Sequence, residues 1–108
     1  MTNTELYTVL TGITGFADKV AYRAFPMGSA PALPFIVYYV QNSDNFMADG
    51  KVYLQKNEVT IELYSNEKDV ASETLLEAKL DANCIPWQKY EEYIESEHMY
   101  QISYDITI

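Results

Sequence analysis

The chain is poor in the residues that most often carry chemistry: its 108 positions include one cysteine, Cys84, and one histidine, His98. A single thiol excludes an intramolecular disulfide and a thiolate zinc cage, so Cys84 is expected as a small, half-buried packing residue. Nucleophilic catalysis needs a nucleophile, a base and usually a group that orients the base. His98 falls in an expected turn, far in sequence from Cys84, and no G-x-S-x-G elbow occurs, so it reads as a surface histidine. The four glycines, Gly12, Gly15, Gly28 and Gly50, fit neither the P-loop nor the dinucleotide fingerprint. Nucleotide binding is left without support. No run of about 18 apolar residues is present, and "MTNTELYTVL" lacks a basic start leading into an apolar block. Neither a membrane span nor a signal peptide is expected, and the cytoplasm is the expected compartment.

Basic residues are scarce as well. Seven Lys and Arg against 16 Asp and Glu give a net charge of −9, with the acids spread along the chain. Such a surface repels phosphate backbones and anionic lipid. A nucleic-acid binder interleaves aromatics with basic residues, whereas "YEEYIESEHMY" interleaves them with glutamate. What the chain does have is ten tyrosines and four phenylalanines, enough apolar area to offset the entropy of ordering. Residues 1–108 are therefore expected to form one folded domain with an acidic, tyrosine-rich surface suited to protein neighbours.

Along the chain, "TNTELYTVLTGI" offers Thr2 and Glu5 as a capping box, followed by Leu6, Val9, Leu10 and Ile13 at helical spacing. "DKVAYRAFP" alternates as a strand until Pro26, "MGSAPALP" is a loop, and "FIVYYV" after Pro34 reads as a central strand. "VYLQ", a turn at "KN" and "EVTIELY" then suggest a hairpin, with Val59, Ile61 and Leu63 inward and Glu58, Thr60 and Glu62 outward. "SNEKDVASETLLEAKLDAN" changes to a helical period, with Leu75, Leu76 and Leu80 on one broad face and Asn83 near its end. "WQKYEEYIE" and "MYQISYDITI" are two further strands joined through "SEH". Two helices cannot cover both faces of so large a sheet, so the expected fold is α+β, a mainly antiparallel sheet with both helices on one face. The other face needs solvent or a neighbour.

Two clusters invite a chemical reading. Glu91, Glu92, Glu95 and Glu97 contain enough carboxylates for an acid and base pair, but a continued strand would place Glu92 opposite the other three. Nothing nearby predicts desolvation, and a solvated face accounts for them. "DNFMADGK" has the composition of a calcium loop, yet with Gly50 sixth, the third and twelfth ligand positions are Met47 and Lys56. A thioether is too soft for calcium and an ammonium repels it, so neither metal nor cofactor is expected. Phe46 and Met47 are different, because two large apolar residues in a polar loop either fold back onto the domain or meet a partner.

Taken in order, "PFIVYYVQNSDNFMADGKVY", "VTIELYSNEKDVASETLLEAKL" and "YIESEHMYQISYDITI" resemble the small tail-completion (tail terminator-like) and head-tail joining proteins of siphophages and prophages of Gram-positive bacteria. The shared features are a proline-led apolar strand, a loop like "ADG" with Tyr53 soon after, a strand ending in "LY", Asp69 before an acidic helix, and a closing tyrosine-rich strand. The resemblance implies a non-enzymatic virion protein that assembles in the bacterial host cytoplasm as a homo-oligomeric ring, commonly a hexamer, between the tail tube and the neck. Its partners would be its own copies and the tail-tube and neck proteins. DNA would pass through without sequence-specific binding, helped by an anionic lumen. In that setting Asn45, Phe46, Met47, Asp49 and Gly50 form a contact arm, with Gly50 relieving the backbone and Phe46 and Met47 reaching an adjacent subunit or the tube. The alternative from another class is a small acidic adaptor or inhibitor that blocks a basic protein partner.

Overall fold

The computed structural model describes the backbone of residues 1–108 and all side chains except that of Tyr53, so the tyrosine singled out by the resemblance lies outside the described side chains. The first helix, α1 (Asn3–Thr11), opens with the expected capping box: Thr2 Oγ1 accepts from the Glu5 amide, and Glu5 Oε1 accepts from the Thr2 amide, both at 3.1 Å. These bonds hold the Glu5 carboxyl below its usual pKa, the Thr2 backbone donor contributing most. Strands β1 (Val20–Tyr22) and β2 (Phe35–Ser43) follow, then β3 (Phe46–Ala48), β4 (Lys51–Leu54), β5 (Asn57–Ser65), the second helix α2 (Val70–Ala82), β6 (Trp87–Ile94), a 3-10 turn (Glu95–Glu97) and β7 (Met99–Thr107).

Five strands form one sheet in the order β1-β2-β5-β7-β6, in which only β1 and β2 run parallel. The fold is α+β with a mainly antiparallel sheet, as the pattern of elements implied. Registers Ile36 to Leu63, Leu63 to Ile102 and Ile61 to Tyr104 bring the inward residues of three strands into rows on one face. Leu6 and Leu10 of α1 and Leu76 and Leu80 of α2 close over those rows, and all of them are fully buried in one cluster. Burial of such side chains contributes about 1.5 to 3 kcal/mol each.

Several expectations need correction. "FIVYYV" is an interior strand, but the centre of the sheet is β5. The hairpin expected between "VYLQ" and "EVTIELY" does not form, because β4 turns back on β3 and β5 pairs with β2 and β7. The cause is turn chemistry. Asp49 and Gly50 both take left-handed backbone (φ 51° and 72°) between the paired residues Ala48 and Lys51, the arrangement of a two-residue hairpin. The strand expected from residue 18 onward is reduced to three residues, since Arg23 turns into the left-handed region (φ 67°). Leu75 is 43% exposed, displaced from the face of Leu76 and Leu80 by the helical turn.

Cys84 is exposed where a half-buried residue was expected. It occupies the left-handed position (φ 57°) just past the α2 cap Asn83; its amide donates to the Asp81 carbonyl and the Ile85 amide donates to the Leu80 carbonyl, both at 3.0 Å. This is a Schellman ending with Ile85 tucked inside, and it turns the cysteine outward. Glu95 and Glu97 lie on the 3-10 turn instead of a continued strand. His98, left-handed at φ 50°, ends that turn at the surface as expected.

Leu76→Ala or Leu80→Ala is expected to cost about 2 to 5 kcal/mol, and Leu75→Ala about 0.5 or less, in urea denaturation. Cys84→Gly is expected to stabilise by about 1 kcal/mol, because glycine takes the left-handed position without the Cβ penalty. A higher denaturation midpoint at unchanged slope checks it.

Candidate functional site

The strand registers give the sheet two unlike faces. The helix-covered face is apolar except at one polar cluster between α2, β6 and β7. There Glu73, only 3% exposed, pairs with Lys68 at 2.8 Å and Lys89 at 3.2 Å; Lys89 also reaches Glu77 at 2.8 Å, and Lys68 reaches Glu91. The fully buried Tyr104 donates its hydroxyl to Glu77 Oε2 at 2.7 Å. Burial first, and Glu77 second, push the Tyr104 phenol far above its usual range. Hydrogen bonds that Lys68 and Lys89 donate to their carboxylate partners raise both lysines in turn. A carboxylate this deep is tolerated only with such partners, so the cluster pins α2 to the sheet.

On the opposite face, alternation places Glu58 and Glu62 on β5, Asp105 on β7 and Glu92 on β6. Neighbouring side chains fix three of these carboxylates. Thr107 Oγ1 donates to Glu58 and Thr60 Oγ1 to Asp105, each at 3.1 Å, while Gln101 Nε2 and the Tyr64 hydroxyl donate to Glu62 at 2.7 and 3.1 Å. Partial burial, and then the Glu62 charge, raise the Tyr64 phenol well above normal. No lysine or arginine occupies a strand position on this face among the described residues. Arg23 lies at its rim, with its guanidinium 5.1 Å from the centre of the Tyr39 ring.

One end of this face is roofed. Residues 23–34, which connect the two parallel strands, cross it and set Phe25 edge-on to Phe35 at 5.2 Å. Beneath them runs an apolar groove of about 340 Å³, lined by Phe25, Phe35, Val37, Tyr64, Ile94 and Met99, with Arg23 and Glu97 also in its wall.

At the other end of the sheet the β3–β4 hairpin forms a separate two-stranded arm. Its base is fastened by the Asp44 amide to the Lys56 carbonyl at 2.8 Å and by the Lys56 amide to Asn45 Oδ1 at 3.2 Å. Phe46 (59%), Met47 (62%), Val52 (51%) and Leu54 (49%) are all exposed on it. Phe46 and Met47 are thus more than half exposed, and neither is part of the hydrophobic core. The molecule measures 49 × 28 × 23 Å, an elongation consistent with an arm that extends the sheet.

The candidate contact residues Asn45, Phe46, Met47, Asp49 and Gly50 thus share one hairpin, with Asn45 at the base and Asp49 and Gly50 at the turn. Val52 and Leu54 belong with them, and the two-residue Asp-Gly signal before a short apolar stretch could have located them. The glutamate cluster is dispersed: Glu91 joins the helix-side ion pairs, Glu92 faces the open side, and Glu95 and Glu97 sit on the turn. Cys84 and His98 flank opposite ends of the eight-residue β6, ~25 Å apart by strand rise, too far to act as a nucleophile and base. Among the described residues no cluster of three or more His, Cys, Asp or Glu could hold a metal ion, and no helix is long and apolar enough to cross a membrane. No protein-family model matches the chain, and no curated protein matches it.

Five groups with raised pKa values act together at alkaline pH. Tyr38, Tyr64, Tyr104, Lys68 and Lys89 hold their protons more tightly folded than unfolded, so above pH 10 the unfolded chain binds fewer protons and stability falls as pH rises. Denaturation midpoints between about pH 9 and 11.5 are expected to decline, less steeply in Tyr104→Phe.

Proposed function

We propose that the protein is a non-enzymatic structural subunit of a phage or prophage head-tail junction, building a homo-oligomeric ring that terminates or joins the tail. The observation that carries this reading is the division of one sheet into a helix-sealed face and an open face bearing Glu58, Glu62, Glu92 and Asp105, with an apolar arm projecting from its end. An open face of this charge suits the wall of a DNA channel, because carboxylates without interspersed cations repel phosphates and leave a passing duplex mobile. Exposed Phe46, Met47, Val52 and Leu54 suit an arm that is covered only on assembly. The resemblance of the strand, loop and helix motifs to tail-completion and head-tail joining proteins names the setting.

The same open face supports a second reading, a monomeric or dimeric acidic adaptor that binds a basic protein. Tyr39, Tyr64 and Tyr90 lie beside its carboxylates, the mixture that meets lysine and arginine side chains well. Particle mass separates the two, since a ring requires several copies.

Replacing Phe46 and Met47 together by serine is expected to leave the thermal transition near that of the parent, because both are exposed on the arm. Association is expected to weaken by more than about 2 kcal/mol, seen as loss of rings or of tube capping in electron micrographs with the tail-tube protein present. Normal capping by the double variant would refute the role given to the arm, and so would its unfolding.

A further inference from the structure

The arm and the roofed groove lie at opposite ends of the same strand. β2 begins at Phe35, in the groove wall, and ends at Ser43, where the arm departs. Nine residues of strand separate them by ~27 Å, more than a hairpin of residues 44–56 can span by folding back. Neither feature can satisfy the other within one molecule. The arm exposes two aliphatic side chains, a thioether and a phenyl ring, and the groove is an apolar recess with room for one or two large side chains. Their charges correspond as well: the arm turn carries Asp49 and Lys51 on either side of Gly50, and the groove wall carries Arg23 from the β1 side and Glu97 from the β6–β7 turn.

We propose that the groove beneath residues 23–34 is the seat for the β3–β4 arm of a second copy of this chain, with Met47 or Phe46 in the recess, Asp49 toward Arg23 and Lys51 toward Glu97. The contact is head-to-tail: each copy donates an arm at one end of its sheet and receives one at the other. A contact of this type leaves no free partner only when the series closes, so a finite assembly built on it is a ring. Burying the arm also removes its exposed apolar side chains from water while placing them against the apolar end of the open face, leaving the carboxylates of that face uncovered. The inference rests on the self-assembly part of the ring reading and adds to it the identity of the receiving surface.

The test is a directed disulfide. In a Cys84→Ser background, Met47→Cys protein is mixed with Ala30→Cys protein, which places a thiol in the groove wall, and separately with Gln88→Cys protein, whose thiol lies toward the arm end of the sheet. Under mild oxidation the arm–groove heterodimer is expected to form at least about tenfold faster than the arm–Gln88 heterodimer, because docking raises the local concentration of one thiol at the other. Sedimentation of the Cys84→Ser parent is run in parallel. Association with equal trapping at both positions, or faster trapping at Gln88, would overturn the seat and leave the ring reading standing. A parent that stays monomeric and shows no preferred trapping would overturn the seat too, and tube capping then decides the ring reading on its own. A charge swap gives a second readout: Lys51→Glu and Glu97→Lys are each expected to slow arm–groove trapping, and the pair mixed together to restore it. Failure of restoration with unaffected single variants would remove the charge pairing from the proposal.

Discussion

Everything in this structure depends on one constraint: a five-stranded sheet has two faces, and the chain supplies helices for one of them. Val59, Ile61 and Leu63 on the central β5 strand set the apolar row that Ile36 and Tyr38 extend on one side and Ile102 and Tyr104 on the other. Leu6, Leu10, Leu76 and Leu80 shield that row from water, and apolar burial of this kind is the main favourable contribution to folding. The second face has no helical cover, and outside the end covered by residues 23–34 it displays carboxylates. Its carboxylates accept bonds from Thr60, Tyr64, Gln101 and Thr107, so their outward display is ordered by their neighbours.

The polar cluster under α2 answers a problem raised by the first constraint. A helix held to a sheet by leucines alone can slide, whereas the bonds that Lys68, Lys89 and Tyr104 donate to Glu73 and Glu77 have direction. The exposed edge strand β6 joins this scheme, since Lys89 and Glu91 face the helix while Glu92 faces away. Charges along an edge also discourage uncontrolled pairing with other chains.

Legibility in the sequence followed the range of the interactions involved. The capping box at Thr2 and Glu5, the period of α2, the alternation of β5 and β7, and the α+β class with one bare face are local or near-local properties, and residue spacing carries them. Residues 44–51 are legible as a polar segment with two large apolar residues, but their hairpin is not, because the strand signal after Gly50 does not say which neighbour it pairs with. The exposure of Cys84 is illegible for a related reason. Its type suggests burial, whereas the backbone it occupies is set by the way Ile85 folds under the helix end.

By itself the amino-acid sequence determined the two helices, the long strands β2, β5 and β7, their apolar sides and the acidic balance, since each of these follows from side-chain chemistry at fixed spacing. Tertiary structure alone decided that β5 is central, that Glu58, Glu62, Glu92 and Asp105 share a face, and that residues 23–34 roof a groove at the end opposite the arm. Those facts depend on which strand pairs with which. Pairing is chosen by the sum of contacts between segments tens of residues apart, and no local spacing records that sum.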